Sequence, residues 1–277
     1  MQHSTNNILR FDAPEEYHNY LRDIPSQYKW LQSDPEFAGG SYAQSLDYLA
    51  HGYDKHLAKA EQLIQQMSEA QIFTQHLPIM QSAMVGGFPN VPAALNGHPK
   101  SMFRRAPSDY EATTTPLSIY VETLVSAGVS QSQLVRRGIA VLGFVLAMNA
   151  IRPVEVYAVT VAAPDGRGAY GAITRLASKP MDLKRATFML TDPAYYRRLA
   201  FSSMRERANN DTTFIAWPNG DYPTSDSYVP MMRKLCQCEE QDIFIKGGYL
   251  LDEKMLKDPV NWCKDMIAEH GNVSVET

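Results

Sequence analysis

Arginine and tyrosine side chains follow one another in a short stretch of the sequence. Tyr195, Tyr196, Arg197 and Arg198 are consecutive, and Arg205 lies seven positions after Arg198. In a helix, spacings of seven or eight residues return to roughly the same face, so the guanidinium groups are predicted to form a stripe beside one of the tyrosines. Arginine binds phosphate through its planar fork, and aromatic rings stack on unpaired bases. The stripe therefore indicates contact with single-stranded nucleic acid. The alternative is a helix ion-paired with acidic segments, its tyrosines partly in the core.

Other basic residues lie in the same third of the chain. Arg136 and Arg137 fall in the first turn of a predicted helix, where cations oppose the helix dipole, so they indicate a bound partner or an acidic neighbour. The full set of residues predicted to contact nucleic acid is Arg104, Arg105, Arg136, Arg137, Arg175, Lys184, Arg185, Tyr195, Tyr196, Arg197, Arg198 and Arg205.

The net charge of −4 conceals opposed segments. Residues 100–210 hold 15 Lys/Arg against 8 Asp/Glu, and 12 of those cations are arginine. Residues 1–99 hold 5 against 10, and residues 211–277 hold 6 against 12. A basic middle segment favours a polyanionic partner, unless the acidic flanks fold back and neutralise it.

Local motifs for catalysis or metal binding are absent from the sequence. There is no GxxxxGK[ST] or GxSxG motif, and the histidines form neither HxxxH nor HExxH. Cys236 and Cys238 have one residue between them, too few for a metal knuckle, and Cys263 leaves an odd total of three. We therefore expect free thiols, a reducing compartment, no metal, no cofactor and no enzymatic activity. A catalytic Ser–His–Asp or Cys–His centre assembled only in space stays open.

The regular elements predict a mixed sheet with helices packed on it. Strands are predicted at 117–125, 154–162 and 169–177, with a buried helix from Ser130 to Pro153. Further helices are predicted from Asp182 and from Asp192. The order strand–helix–strand–strand–helix–helix indicates an α/β (α+β) fold and not an OB-fold.

The whole chain, 1–277, is predicted to be a single domain. Its parts are a helical, proline-rich 1–110, a basic α/β core at 111–210 and an acidic 211–277. The first forty residues are expected to form an ordered arm, followed by helices after Ser41 and Asp54, and 78–110 to contain no long element because of its prolines and glycines. The acidic part is expected to hold short strands at 214–217 and 242–246, a helix at 228–238 and a broken helix at 252–269. No apolar run is long enough to cross a bilayer, so no membrane partner is expected.

Three segments of the chain resemble an uncharacterised family of bacteriophage proteins. They are PNVPAALNGHPKSM at 89–102, VRRGIAVL at 135–142 and FMLTDPAYYRRL at 188–199, within a likeness that covers roughly 35–230. In size and composition the chain is also similar to the Drc-type proteins of Enquatrovirus-like phages, which are single-stranded DNA-binding cofactors of a phage RNA polymerase. No binding motif of that type aligns here, so no functional residue is carried over from it.

The resemblance implies a phage protein in the host cytoplasm that binds single-stranded DNA and assists a phage RNA polymerase at melted promoters. It also implies an α/β fold unlike the usual single-strand binders, and self-association is compatible with it. Two alternatives come from other classes: a metal-dependent phage nuclease, and an interaction factor whose basic face binds an acidic protein.

Overall fold

The computed structural model of the chain describes eleven stretches of residues. They are 7–31, 35–69, 80–84, 88–89, 98–105, 116–125, 128–163, 168–176, 182–209, 228–247 and 253–270. The predicted strand at 214–217 lies outside the described residues.

The described elements follow one another from the first described residue to the last. The strands are β1 (Asn7–Phe11), β2 (Met80–Ala83), β3 (Phe88–Pro89), β4 (Met102–Arg105), β5 (Leu117–Glu122), β6 (Val154–Ala162), β7 (Tyr170–Leu176) and β8 (Ile243–Ile245). The helices are α1 (Pro14–Asp23), α2 (Pro35–Ala38), α3 (Tyr42–His51), α4 (Leu57–Glu69), α5 (Gln131–Ile151), α6 (Leu183–Thr191), α7 (Phe201–Arg207), α8 (Tyr228–Cys236), α9 (Glu253–Lys257) and α10 (Pro259–His270). A π-helical segment, Tyr195–Ala200, leads directly into α7.

Five of the strands form a mixed sheet in the order β1–β7–β6–β5–β8. Strand β5 is parallel to both β6 and β8, β6 is antiparallel to β7, and β1 is parallel to β7. The parallel pair β5–β6 is joined through α5, and the antiparallel pair β6–β7 forms a hairpin. The predicted α/β fold with a mixed sheet is confirmed.

The ends of α5 follow from local chemistry. Ser130 accepts a hydrogen bond from the backbone N–H of Gln133, and the Gln133 side chain accepts one from the backbone N–H of Ser130, so two N–H groups at the helix start are satisfied. At the other end, Pro153 cannot continue a helix, and α5 stops at Ile151. The predicted helix and the strand that follows it are therefore confirmed.

Helices cover both faces of the sheet. On one face α5 packs with α4, α6 and α10 over a large apolar core. On the other face α8 places Tyr228, Met232 and Cys236 against side chains of β5, β6 and β7. The central strand β6 is buried along most of its length because both of its faces are covered. None of the described helices is long and apolar enough to cross a membrane.

The N-terminal arm is part of this architecture and is not an appendage. Its strand β1 pairs along its own full length with β7, with Asn7 opposite Tyr170 and Phe11 opposite Thr174. Beyond α1, the backbone N–H of Trp30 donates to Ser202 Oγ over 2.9 Å. Within 78–110, where no long element is predicted, β2, β4 and β3 form a small antiparallel sheet. The sequence identified the arm as ordered but missed its strand and its helix.

Helix α5 lies unusually close to α6 at a glycine. A Cβ added at Gly138 would lie 2.2 Å from the carbonyl oxygen of Leu190, a backbone atom that cannot move aside without shifting α6. One turn and a half later, a Cβ at Gly143 would meet only the side chains of Leu63 and Met67, at 3.0 and 3.1 Å. The two glycines of one helix thus differ in how far they constrain its packing.

We expect Gly138→Ala to destabilise the fold by about 1–3 kcal/mol, the usual cost of overpacking a core. Gly143→Ala should change the free energy of unfolding far less, because alanine gains up to about 1 kcal/mol of helix propensity and flexible side chains can adjust. Urea denaturation of both variants measures the difference. Equal effects at the two positions would contradict the close α5–α6 contact.

Candidate functional site

Four of the five residues of the predicted stripe are buried, and the fifth, Arg205, is half-buried. Tyr195, Tyr196, Arg197 and Arg198 expose only 0%, 3%, 2% and 5% of their surfaces. The Tyr195 ring packs against Tyr17, with ring centroids 6.2 Å apart. The prediction that one of the two tyrosines faces outward is wrong, because the N-terminal arm covers this segment and its π-helical turns do not keep the α-helical spacing on which the stripe depended.

Arg197 binds the protein's own backbone. Its Nη1 donates to the carbonyl oxygen of Phe37 and its Nη2 to that of Val129, both over 2.8 Å. The guanidinium group also lies 4.3 Å from the centre of the Phe37 ring. These contacts satisfy both terminal nitrogens of the guanidinium group, although its buried Nε has no hydrogen-bond partner among the described residues, and they tie the arm and the loop before α5 to the π-helical segment. A strand of DNA cannot use the same donors.

Arg137 has a similar internal role. Its side chain is 3% exposed, and Nη2 donates to the carbonyl oxygens of Glu122, over 2.8 Å, and Lys246, over 3.1 Å. The Glu122 carboxylate is fully buried and accepts hydrogen bonds from Gly247 N, over 2.7 Å, and from the hydroxyl of Tyr228. The predicted contact of Arg137 with nucleic acid is replaced by a link between the ends of β5 and β8.

Several other predicted residues are engaged with neighbours in the fold. Arg175 pairs with Glu155 at 2.5 Å, and Lys184 pairs with Asp54 at 3.0 Å. Arg185 bonds the carbonyl oxygen of Ala50 and pairs with Glu15. The guanidinium group of Arg205 lies 5.6 Å from the Trp30 ring. The charge pattern left open that the acidic N-terminal part folds back and neutralises basic residues. This is what the structure shows for Lys184 and Arg185, which pair with Asp54 and Glu15.

The remaining predicted residues, Arg104, Arg105 and Arg136, lie in two different parts of the structure. Arg104 and Arg105 belong to strand β4, paired with Gln81 and Met80 of β2, and their side chains lie outside what the structure describes. Arg136 is exposed and, within the described part of the chain, forms no hydrogen bond or ion pair. It lines a cleft of about 980 Å³ between α4 and α5, which we call the α4–α5 cleft.

Two more free cations line the α4–α5 cleft. Lys55, just before α4, and Lys59, in its first turn, are exposed and also lack hydrogen-bond or ion-pair partners among the described residues. Among the described residues of the lining, the acidic one is Asp192, whose Oδ1 accepts a hydrogen bond from Ala194 N over 2.8 Å. With His56 neutral, the lining carries a formal charge of +2, although the whole chain carries −4. The first turn of α5 adds the positive end of its dipole through Gln131 and Ser132.

The inner wall of the cleft is aromatic and apolar. Tyr48 is half-buried and its ring meets that of Tyr53 edge-on, with centroids 4.8 Å apart. Leu63, Val135 and Ile139 continue the wall. The amide side chains of Gln62 and Gln66 add hydrogen-bonding groups. The arrangement combines positive charge, ring faces and amides in one concavity.

His56 is the buried polar residue in this wall. It is 8% exposed, and its Nδ1 is buried without a hydrogen-bond partner in the described part of the protein. Burial lowers the pKa of His56 below its ordinary value; the nearby Asp192 carboxylate opposes this, and Lys55 and Lys59 add to it. The imidazole is therefore mostly neutral at pH 7, with one donor and one acceptor nitrogen.

The sequence prediction missed Lys55, Lys59, His56 and the two wall tyrosines because they belong to the net-acidic first part of the chain. One signal was available: Lys55 and Lys59 are four residues apart at a predicted helix start and so share a face.

The cysteines form no disulfide: Cys236 and Cys263 are buried and Cys238 is half-buried. Hydrogen bonding between Cys236 and Cys238 raises the pKa of Cys236 and lowers that of Cys238. Among the described residues, no group of three or more His, Cys, Asp or Glu side chains could hold a metal ion.

The fold and the cleft together define an α/β protein with a mixed sheet and a basic cleft beside its longest described helix. The chain belongs to the family described as Domain of unknown function (DUF7192), whose model matches residues 4–271. No curated protein and no solved structure matches the chain.

We expect Arg197→Ala to lower the free energy of unfolding by about 2–5 kcal/mol, because two carbonyl oxygens lose their buried partner. Arg136→Ala removes a cation from the surface and should cost less than about 0.5 kcal/mol. Arg197→Lys is expected to fall between them, since an ammonium group cannot reproduce the two-pronged geometry. Urea denaturation monitored by tryptophan fluorescence measures all three. If Arg197→Ala is as stable as Arg136→Ala, the internal role of Arg197 is wrong.

Proposed function

We propose that this protein binds single-stranded DNA in the α4–α5 cleft. The observation that supports this best is the convergence of Lys55, Lys59 and Arg136 on one concavity, exposed and without partners among the described residues. Of the predicted cations whose side chains the structure describes, Arg136 is the one that is exposed without a partner, and Lys55 and Lys59 line the same cleft, so we assign phosphate binding to these three. The adjacent tyrosine wall supplies the ring faces that unpaired bases use.

The surface next to the cleft is also suited to a strand. A shallow depression of about 510 Å³ lies at the start of α5 and shares Gln131 and Ser132 with the cleft. Hydroxyl, amide and backbone N–H groups at a helix start favour anionic oxygens. A strand leaving the cleft can therefore continue over the first turn of α5.

The shape of the cleft favours single strands over duplex. Its volume, about 980 Å³, is that of a small-molecule pocket, far too small to admit a double helix. The bases of a duplex are stacked and paired inside the helix, so they cannot reach Tyr48. Unpaired nucleotides can enter one at a time.

The role in transcription rests on the sequence resemblance alone. We infer a phage protein of the host cytoplasm that delivers or holds the open strand for a phage RNA polymerase. A metal-dependent nuclease and a protein-binding factor without nucleic acid are the two rivals, and they predict different outcomes in one binding experiment.

We expect fluorescence anisotropy to show that a labelled single-stranded oligonucleotide binds more tightly than the same sequence as a duplex. With three cations engaged, log K should fall against log salt with a slope of about −2. Lys59→Ala should weaken binding and flatten that slope by about 0.7.

Lys234→Ala is the matched control, because Lys234 is an exposed cation on α8, on the opposite face of the sheet from the cleft. It should leave affinity and slope unchanged. Magnesium is added to a parallel set of samples. Cleavage of the oligonucleotide would favour the nuclease, and absence of binding at low salt would overturn the proposal.

A further inference from the structure

The α4–α5 cleft has two unlike sides. Exposed cations lie at its mouth, while its buried side presents Tyr53 and the apolar side chains of Leu63, Val135 and Ile139. A small inorganic anion would use only the first side, and an apolar molecule only the second. The pairing suits a ligand with an anionic group at one end and a flat, largely apolar ring at the other.

The charge of the lining indicates how much negative charge that ligand carries. The described lining of the cleft carries a formal charge of +2, from the three cations Lys55, Lys59 and Arg136 and the one carboxylate of Asp192. A phosphodiester inside a DNA strand carries one negative charge, whereas a phosphate monoester carries roughly −1.5 to −2 at pH 7. The cleft is therefore better matched in charge to a terminal phosphate than to an internal one.

His56 supplies an independent observation inside the cleft wall. Its imidazole is more than nine-tenths buried, and its Nδ1 has no hydrogen-bond partner among the described residues. A buried polar group without a partner costs stability, so such groups are usually satisfied by a ligand or by water. A neutral imidazole donates one hydrogen bond and accepts another, which complements the edge of a nucleobase.

We propose that the α4–α5 cleft binds a nucleotide that carries a terminal phosphate monoester, with the phosphate at Lys55, Lys59 and Arg136 and the base against the wall that contains His56. The ligand is either a free nucleoside monophosphate or the phosphorylated end of a strand, which share this chemistry. The proposal rests on the proposed function and adds to it which part of the strand the cleft holds.

Binding of the phosphate also has a consequence for His56. The groups that face its ring from neighbouring elements are Asp192, Lys55 and Lys59. A phosphate at the two lysines offsets their positive charge and adds a negative one, so the pKa of His56 rises on binding. Because the complex then takes up protons more readily, the contribution of His56 to affinity grows as the pH falls through its pKa in the complex and is constant below its pKa in the free protein.

The test compares oligonucleotides of one sequence that end in a 5′-phosphate, a 3′-phosphate or hydroxyl groups only. Anisotropy of the wild-type protein should show that an oligonucleotide with one of the two phosphorylated ends binds about tenfold more tightly than the one with hydroxyl ends. The reason is that the terminal phosphate adds charged hydrogen bonds to the complex. Equal affinities for all three ends would overturn this proposal and leave single-strand binding intact. Absence of binding by every oligonucleotide would overturn the proposed function.

Free thymidine monophosphate distinguishes a site for free nucleotides from a site for strand ends. Isothermal titration calorimetry measures its own binding, and anisotropy measures whether it displaces the labelled strand. Displacement of the labelled strand by this nucleotide supports a site for either source, and failure of displacement assigns the site to strand ends. Nucleotide binding without oligonucleotide binding would keep the cleft assignment and contradict the DNA-binding function. Inorganic phosphate that binds as tightly as the nucleotide would overturn the role of the base-contacting wall.

His56→Phe keeps the ring and removes its hydrogen bonds, and His56→Gln keeps a donor and an acceptor. We expect His56→Phe to weaken nucleotide binding about tenfold and His56→Gln to restore part of it. Binding of inorganic phosphate should be unchanged in both. In the wild type, NMR titration of the His56 ring should show its pKa raised by the nucleotide. If neither variant changes nucleotide affinity and the His56 pKa stays constant, the proposal is wrong.

Discussion

The fold depends on two buried guanidinium groups that bind backbone carbonyls. Transfer of a cation out of water is costly unless its donors are satisfied, and Arg197 and Arg137 each meet two carbonyl oxygens. The carbonyls belong to residues far apart in the chain: Phe37 and Val129 for the first, Glu122 and Lys246 for the second. Each arginine therefore links segments that are far apart in the sequence.

These two side chains act at the same end of the central sheet region, around the start of α5. Arg197 fixes Val129, next to the Ser130 cap of α5, and Arg137 lies in the second turn of that helix and not, as predicted, in the first. The buried Glu122 carboxylate adds bonds to Gly247 and Tyr228 and supplies negative charge near Arg137. The position of α5, and with it Arg136 at the cleft, follows from this buried polar set.

The α4–α5 cleft forms where elements from four parts of the chain meet. Gly39 and Gly40 approach the start of the π-helical segment, α4 and α5 form the sides, and residues of α9 close one end. Gly39 has a φ of +73°, and a Cβ there would lie 3.0 Å from the Cβ of Ala194, so glycine is required at this approach. The cations at the mouth thus come from segments of opposite net charge: Arg136 from the basic middle and the two lysines from the acidic first part.

The sequence by itself determined the elements whose ends are set by neighbouring residues. The Ser130 capping box, the stop at Pro153 and the Asp182 cap are all local, and the helices and strands of 117–207 therefore lie close to where the pattern predicted them. Only the tertiary structure decided which charges face solvent. Helical spacing fixes how side chains are arranged relative to one another, but it says nothing of what covers them. The arm before Ser41 covers Arg197 and Tyr195, and packing of α4 against α5 brings Lys59 and Arg136, 77 residues apart in the sequence, to one cleft. Such long-range packing depends on the summed burial of many side chains, so no local pattern contains it.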